Sequence, residues 1–353
     1  MPAAVELPLS AQTAYAQLFE AALAADHARS VADLRGSFAK KTVKGAAYWY
    51  YQYTEPSGAL RQIYVGPECD AVERLRARKR APTASARLGP LARAAAALGC
   101  AEILPRHARV LGRLAEYGFF RAGGVLVGTH AFLACGNMLG VKWGDAERTE
   151  DVDLAHAGRS VSLALPGDAA LDADRAIRSL EMGFLPLQGL DGGGASYLIP
   201  KEPEFRLDFL APRHREGDRP YLHPRLGVRL QPLSFIGYLL EDVQQAALFA
   251  GDTVVLVNVP SPARYALHKL LVWGERRGAF AAKSAKDLRQ AGALLERLKE
   301  TRRSDVGRAW RDLASRGPVW RSRLRPALKA LDRQFPALEA PRWLALRARR
   351  RAR

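Results

Sequence analysis

Two aspartates on one side of a predicted strand are the first candidates for chemistry in this chain. Asp151 and Asp153 alternate with the apolar Val152 and Leu154, and residues two apart on a strand lie on the same face. Carboxylates held side by side repel each other unless a cation lies between them, and oxygen ligands of this kind suit Mg²⁺. The alternative is a solvated strand end with two unrelated acids.

A third carboxylate, Asp208, interrupts the apolar run from Phe205 to Leu210. A buried carboxylate is costly without a metal ion or a hydrogen-bonding partner, so we expect Asp208 to lie beside one. An ion pair with Arg206 or Arg213 is the alternative.

A glycine-threonine pair, Gly128-Thr129, follows the apolar residues Val125 to Val127 and precedes a helical pattern over residues 131–139. A turn from strand into helix directs unpaired backbone N–H groups and the positive end of the helix dipole outward. Such a turn can bind phosphate. The alternative is a sharp bend with no ligand.

Taken in order, the Gly-Thr turn, the paired aspartates on the next strand and the single aspartate on a later strand resemble the three-part signature of the polymerase-β-like nucleotidyltransferase superfamily. The signature covers about residues 118–212. Within the superfamily, the chain is most similar to bacterial nucleotidyltransferase-fold proteins that are distantly related to the minimal and abortive-infection-toxin nucleotidyltransferases. The similarity leaves open a role as a toxin or in phage defence.

This resemblance implies transfer of a nucleoside monophosphate from a nucleoside triphosphate to a hydroxyl acceptor. Asp151 and Asp153 would hold Mg²⁺ or Mn²⁺, and Asp208 would complete the site that activates the hydroxyl. Gly128 and Thr129 would hold the β- and γ-phosphates. In-line attack on the α-phosphorus would release pyrophosphate, and the acceptor could be a protein, an RNA or a small molecule.

Two features depart from the superfamily pattern. The usual Gly-Ser is Gly-Thr here, which keeps the hydroxyl. In addition, 21 residues separate Thr129 from Asp151, more than is usual. The extra segment, residues 137–148 with Lys142 and Trp143, is predicted to be a loop beside the site that binds substrate or obstructs it.

A further similarity to the abortive-infection relatives lies downstream, where a helical lysine and a later basic-acidic pair match Lys269 and Asp287. The resemblance implies that both lie near the nucleotide. Lys269 could neutralise a phosphate, and Asp287 could orient it or orient Arg276. A solvated helix face is the alternative for Lys269.

The chain carries 54 Lys and Arg against 36 Asp and Glu, a net charge of +18, so a polyanion is an expected partner. A basic-aromatic β-hairpin near the N-terminus and a basic C-terminal tail could contact nucleic acid. Alternatively, half of the hairpin aromatics are core and the tail is a disordered solubilising end. A catalytically silent, nucleic-acid-binding protein with the same fold is therefore the second functional hypothesis. The hairpin residues concerned are Lys40, Lys41, Lys44, Tyr48, Trp49, Tyr50, Tyr51, Tyr53, Arg61 and Tyr64.

Other function classes are disfavoured by what the sequence lacks. Its three cysteines are far apart, so neither a disulfide framework nor a thiolate zinc site is encoded. We see no secretory signal and no apolar run of about 18 residues, and we expect a cytoplasmic protein without a membrane span.

The pattern of apolar and turn residues predicts an α+β architecture with a mixed sheet flanked by helices. It favours a strand over 119–127, a helix over 172–182, a β-hairpin over 243–259 with its turn at Gly251-Asp252, and helix breaks at Pro82, Pro90 and Pro105. The expected units are an N-terminal helix and β-hairpin (1–70), a helical connector (71–117), a nucleotidyltransferase catalytic domain (118–215), a C-terminal β-hairpin and helical domain (216–335) and a basic tail (336–353).

Overall fold

Strands and helices are intermixed along the chain, which confirms the predicted α+β class. The structure, a computed structural model, describes residues 4–27, 36–54, 60–80, 84–144, 149–157, 172–187, 194–213, 219–224, 226–274, 281–340 and 342–344. The strands are β1 (Ala4–Glu6), β2 (Ser37–Val43), β3 (Ala46–Thr54), β4 (Leu60–Pro67), β5 (Gly124–Leu126), β6 (Val141–Trp143), β7 (Val152–His156), β8 (Leu185–Pro186), β9 (Ser196–Ile199), β10 (Glu202–Pro212), β11 (Tyr221–Leu222), β12 (Arg229–Leu233), β13 (Val243–Ala250) and β14 (Thr253–Pro260). The helices are α1 (Leu9–His27), α2 (Asp70–Arg80), α3 (Ala84–Ala97), α4 (Pro105–Glu116), α5 (Gly128–Met138), α6 (Ala173–Arg178), α7 (Ile236–Leu240), α8 (Pro262–Trp273), α9 (Ala281–Thr301), α10 (Arg303–Ser315) and α11 (Pro318–Gln334), with a short 3₁₀ turn at Pro336–Leu338.

A seven-stranded mixed sheet carries the residues singled out above. Its main path runs β11-β12-β10-β7-β5, and β9 joins β10 to β8. β7 and β10 are parallel, while β5 is antiparallel to β7. Apolar residues of the two central strands, Val152 and Leu154 on β7 with Leu207 and Phe209 on β10, are buried. Their alternation with aspartates is what directs the carboxylates to the opposite face.

One large apolar cluster joins this sheet to the C-terminal helices. It extends from Ile103 to Leu344 and includes buried residues of α4, α5, α8, α9, α10 and α11. The β13–β14 hairpin belongs to it, and the Asn258 side-chain amide donates hydrogen bonds to the carbonyl oxygens of Phe120 and Gly124. The sheet and the C-terminal helices are therefore packed around the same core.

The N-terminal segment packs on the other side of the β13–β14 hairpin. Buried residues of α1 and α3 form a second cluster with Ala247 and Phe249. The Tyr15 hydroxyl donates to the Ala247 carbonyl oxygen at 3.2 Å, and β1 pairs antiparallel with β6.

Strands β2, β3 and β4 form a separate antiparallel sheet, as the basic-aromatic pattern predicts. Lys44 and Gly45 both have positive φ at the tight turn between β2 and β3, the conformation that matches strand twist in a two-residue hairpin. Helix α2 packs against this sheet, and its Val72 is buried with Trp49 and Tyr51. These three residues belong to neither of the two clusters.

The sequence pattern was wrong about several boundaries. The strand expected over 119–127 is only β5, because Gly118 and Gly123 take positive φ and turn the preceding residues. Pro90 lies inside α3, whose buried Ala92 and Ala95 hold it against α1. The helix expected over 172–182 ends at Arg178 and that over 131–139 begins at Gly128, whereas the β13–β14 hairpin and the break at Pro105 are confirmed.

Within the described residues, no helix is both long and apolar enough to span a membrane. Pro82, residues 145–148 and residues 345–353 of the basic tail lie outside the described ranges.

Candidate active site

Asp153 and Asp208 are directly opposite each other on the two central strands. They are Cα partners across the parallel β7–β10 pair, and neighbouring strands lie about 4.8 Å apart. The Ser196 hydroxyl, on β9 at the other side of β10, donates a hydrogen bond to Asp208 Oδ1. Two carboxylates that are 55 positions apart in the sequence are thus held side by side by strand register.

The electrostatics of this pair favour a cation. The pKa of Asp153 is raised to about 6, first by burial and second by the Asp208 carboxylate beside it. The ammonium groups of Lys269 and Lys283 act in the opposite direction. A hard divalent cation between the carboxylates would remove the repulsion, and the oxygen donors fit Mg²⁺ or Mn²⁺.

Asp151 is paired with an arginine. Its Oδ1 lies 3.6 Å from Arg206 Nε, so Arg206 pairs with Asp151 and not with Asp208. Among the residues that the structure describes, no three His, Cys, Asp or Glu side chains are grouped to hold a metal ion. The structure therefore brings Asp153 and Asp208 together, while Asp151, whose charge also acts on Asp153, is paired with Arg206.

Gly128 lies against Asp153 at the start of α5. Its φ is +62°, and a Cβ built there would be 1.9 Å from Asp153 Oδ2. The backbone N–H of the preceding residue, Val127, donates to the Asp153 carbonyl oxygen at 2.9 Å. Only glycine meets both the conformation and the close approach.

Thr129 follows in the first turn of α5 and is buried. Val127 stands at the N-cap position, and its side chain has no oxygen to cap the helix. The first backbone N–H groups of this 11-residue helix, with the positive end of its dipole, therefore lie beside the carboxylate pair. This arrangement suits a triphosphate that is also bound to a cation.

Helices α8 and α9 bring Lys269 and Asp287 together. Lys269 Nζ donates to Asp287 Oδ1 at 2.8 Å, and the side chain of Asp287 is only 3% exposed. Lys269 is therefore in a buried ion pair, not on a solvated face, and its charge reaches Asp153. Arg276, the other expected partner of Asp287, lies outside the described residues.

Tyr265 is a site residue that the sequence did not reveal. Its hydroxyl donates to the Gly128 carbonyl oxygen at 2.6 Å and lies 3.2 Å from Gln290 Oε1. It thereby ties α8 to the Gly-Thr turn, one helical turn before Lys269. A buried tyrosine in an apolar helix carries no sequence signal for such a contact, and neither does Ser196.

The predicted loop over residues 137–148 is wrong for much of its length. Val141–Trp143 is strand β6, paired with β1, and the Trp143 ring stacks on Phe132 at 4.5 Å with its Nε1 donating to the Phe132 carbonyl oxygen. The apolar residues of this segment are buried under α5, so they belong to the core and not to a substrate loop.

Comparisons with known proteins found a family and a solved structure that are similar to this chain. A family model described as Nucleotidyltransferase matches residues 105–315, more than half of the chain. The crystal structure of an antigenic nucleotidyltransferase-like protein from Paracoccidioides brasiliensis is similar at 15% sequence identity, over 69% of this chain and 95% of that chain, with a TM-score of 0.35. No curated protein matches the chain. From the extent of the family match, the chain belongs to this nucleotidyltransferase family and the protein is an enzyme of that class.

Proposed function

We propose that the protein transfers a nucleoside monophosphate from a nucleoside triphosphate to a hydroxyl acceptor, with Mg²⁺ or Mn²⁺ as cofactor and pyrophosphate as the second product. The observation that carries the proposal is the pair of neighbouring carboxylates, Asp153 and Asp208, of which Asp153 lies against Gly128 of the Gly-Thr turn. The family match supports the same reaction class.

Asp153 and Asp208 would hold the cation, with Asp151 as a further ligand. When bound, the cation supplies positive charge to the triphosphate and lowers the pKa of the attacking hydroxyl. The pKa of Asp153 is raised first by burial and second by the Asp208 carboxylate, and the second contribution reflects the cost of holding two carboxylates together without that charge. The hydrogen bond from Ser196 restrains the Asp208 carboxylate.

The backbone N–H groups at the start of α5 would bind the β- and γ-phosphates. Charge develops on these phosphates as the α-phosphorus is attacked, so fixed donors at a helix N-terminus stabilise the departing pyrophosphate. Tyr265 fixes the position of the turn through the Gly128 carbonyl oxygen. The turn is thereby held in place before substrate arrives, which lowers the cost of reorganisation.

Lys269 would neutralise a phosphate oxygen from the side of α8. Its ammonium group is oriented by Asp287, which is almost fully buried. A charge-assisted hydrogen bond from a pre-oriented ammonium is stronger than one from a mobile surface lysine.

The test is transfer of radioactive label from each α-³²P-labelled nucleoside triphosphate, with Mg²⁺ or Mn²⁺, to bulk cellular RNA, protein or small molecules. Asp153→Asn and Asp208→Asn keep the side-chain shape and remove the charge, and we expect each to lose transfer by at least about 100-fold. Asp252→Asn, on the exposed β13–β14 turn, is the matched control. The labelled fraction identifies the acceptor class.

Cation binding is measured separately by the thermal midpoint. Mn²⁺ should raise the midpoint of the wild type and of Asp252→Asn and leave that of Asp153→Asn unchanged. If the wild type transfers no label from any nucleotide and shows no cation-dependent shift, the proposed reaction is wrong. The catalytically silent alternative is then favoured, provided that the protein still binds nucleic acid.

A further inference from the structure

The two faces of the N-terminal sheet are chemically different. Cross-strand pairing places Lys41 opposite Tyr48 and Tyr50 opposite Tyr64, so these four residues share one face. Lys41 and Tyr64 are exposed, the latter at 54%, while Tyr48 and Tyr50 are half-buried. We call these four residues the tyrosine face.

The opposite face is sealed by α2. Trp49 and Tyr51 are buried there, with the Arg76 guanidinium 3.7 Å from the Trp49 ring centroid and Lys79 Nζ 5.6 Å from that of Tyr51. The hydrophobic stability of the sheet thus comes from this side. On the tyrosine face, by contrast, the Tyr64 ring is 54% exposed and therefore accessible to a ligand.

The rings of the tyrosine face form a continuous strip. The Tyr64 centroid lies 5.4 Å from that of Tyr50 and 6.3 Å from that of Tyr48. Lys41 Nζ lies 4.6 Å from the Tyr50 centroid and donates to Gln62 Oε1 at 2.6 Å. The Tyr64 ring is inclined by 46° to that of Tyr48 and by 62° to that of Tyr50. Aromatic rings with an ammonium group next to them can stack bases and neutralise the phosphates between them.

The charge around the sheet points to a polyanionic occupant. Residues 36–80 contain nine Lys and Arg against four Asp and Glu, within a chain of net charge +18. A duplex has the charge but keeps its bases stacked inside, whereas a single strand offers both phosphates and free base faces. We propose that the tyrosine face binds single-stranded nucleic acid, with bases stacked on Tyr50 and Tyr64 and a phosphate beside Lys41.

The binding test uses the full chain and a fluorescein-labelled U20 RNA, followed by fluorescence anisotropy. Tyr50→Ala/Tyr64→Ala should weaken U20 binding by at least about 30-fold, because two stacking rings are lost and each costs about 1–3 kcal/mol. Tyr64→Phe should bind as the wild type does, because it keeps the ring. Binding to a 20-base-pair duplex should change by less than about twofold in all of these variants.

The adjacent residues on the sealed face provide matched controls. Lys40 pairs with Glu68 at 3.1 Å on the side of Trp49, so Lys40→Ala should leave U20 binding unchanged. Lys41→Ala should weaken it and reduce the slope of log K against log salt by about 0.7, the loss of one phosphate contact. Tyr53→Ala removes a tyrosine from the sealed face and should have no effect on U20 binding.

The proposal is wrong if Tyr50→Ala/Tyr64→Ala binds U20 as tightly as the wild type, or if it loses single-strand and duplex binding equally. It is also wrong if the same substitutions abolish self-association of the chain, which would make the face an interface between copies. Circular dichroism of each variant checks that the sheet remains folded. Asp153→Asn should bind U20 normally, so failure of the proposed transfer reaction and failure of this proposal give different results.

Discussion

At the scale of single residues, the candidate site depends on a contact that only glycine permits. Gly128 has a left-handed backbone conformation and lies so close to Asp153 that a methyl group would occupy the position of a carboxylate oxygen. The same residue presents its carbonyl oxygen to Tyr265. Three parts of the candidate site, the Gly-Thr turn, the carboxylate pair and α8, therefore meet at one residue without a side chain.

Gly128→Ala should abolish transfer while the protein remains folded. The added Cβ must displace Asp153 from Asp208, and a misplacement of about 1 Å can cost about 100-fold in rate. Gly251→Ala is the matched control, because Gly251 also has positive φ, at +54°, and nothing lies within 4 Å of its added Cβ. Gly251→Ala should lose about 1–2 kcal/mol of stability to backbone strain, and Gly128→Ala should lose more because its Cβ also displaces Asp153; both are measured by urea unfolding. Equal activity of the two variants would contradict this account of the Gly128–Asp153 contact.

A second residue-scale feature is the buried histidine pair next to the turn. His130 Nε2 and His107 Nδ1 lie 2.9 Å apart, and both side chains are buried. Burial is the main cause that lowers the pKa of His107 to about 4 and that of His130 to about 3. Both rings are therefore neutral in the folded protein at pH 7.

This pair should make the protein sensitive to acid below about pH 6.5. Unfolded histidine has a pKa of about 6.5, so between that pH and about 4 the unfolded chain binds protons that the folded chain does not. Stability then falls as pH falls, by up to about 1.4 kcal/mol per pH unit for each histidine.

His107→Gln should reduce the slope of the unfolding free energy against pH by up to about 1.4 kcal/mol per pH unit, the contribution of one histidine. The slope is measured by urea unfolding between pH 4 and 7. His27→Gln, at the exposed end of α1, should leave the slope unchanged. An identical slope in wild type and His107→Gln would show that the pair does not control acid stability.

At the scale of elements, α11 carries a row of positive charge. Arg321, Arg325, Lys329 and Arg333 are all exposed and recur every four residues, which places their Cα atoms about 6 Å apart along the helix axis. Like charges at this spacing destabilise a helix by about 0.2–0.5 kcal/mol per pair. The helix is held by burial of Leu324, Ala327 and Leu331 on its other side.

Arg325→Glu should therefore stabilise the protein. It replaces two repulsive pairs, with Arg321 and Lys329, by two attractive ones, for a gain of about 1 kcal/mol in the free energy of unfolding by urea. Arg325→Gln removes only the repulsion and should give about half of that gain. The differences should shrink in 1 M NaCl, which screens exposed charges. A loss of stability in Arg325→Glu at low salt would mean that α11 needs its charge for folding.

The elements also show which parts of the site the sequence can reveal. The alternation around Asp153 predicts its strand and face, since that pattern is local. The register that places Asp208 opposite it depends on pairing between strands far apart in the chain, so composition and periodicity could suggest but not fix it. The contact of Asp151 with Arg206 and the hydrogen bond of Tyr265 to the turn depend on side-chain packing, which has no local pattern.

At the scale of the whole molecule, helices α1 and α3 pack with the rest of the chain, whereas the β2–β4 sheet has buried residues of its own. α1 and α3 share an apolar cluster with the β13–β14 hairpin, and other residues of this hairpin belong to the large cluster around the seven-stranded sheet. The two helices therefore pack with the part of the chain that carries the candidate site. The buried residues of the β2–β4 sheet belong to neither cluster. Cys100, just beyond the C-terminus of α3, donates to the Ala11 carbonyl oxygen near the N-terminus of α1. The two packed helices are therefore antiparallel, and the C-terminus of α1 lies near the N-terminus of α3.

The sheet can therefore be treated as an insertion between two neighbouring helix ends. Replacing residues 36–80 with a Gly/Ser linker of about ten residues should leave a single cooperative thermal transition with a midpoint within about 3 °C of the wild type, because no side chain of the two clusters is removed. The same protein should lose the U20 binding proposed for the tyrosine face.

The contrasting variant is Leu18→Ala in α1, which keeps the sheet and opens a cavity in the second cluster, where Leu18 is fully buried. It should cost about 2–5 kcal/mol and keep U20 binding. Stability and single-strand binding are thus expected to separate: one variant loses binding and keeps stability, and the other does the reverse. An insertion with its own buried residues contributes nothing to the packing of the two apolar clusters. A linker variant that unfolds or aggregates would therefore show that the sheet is needed for that packing.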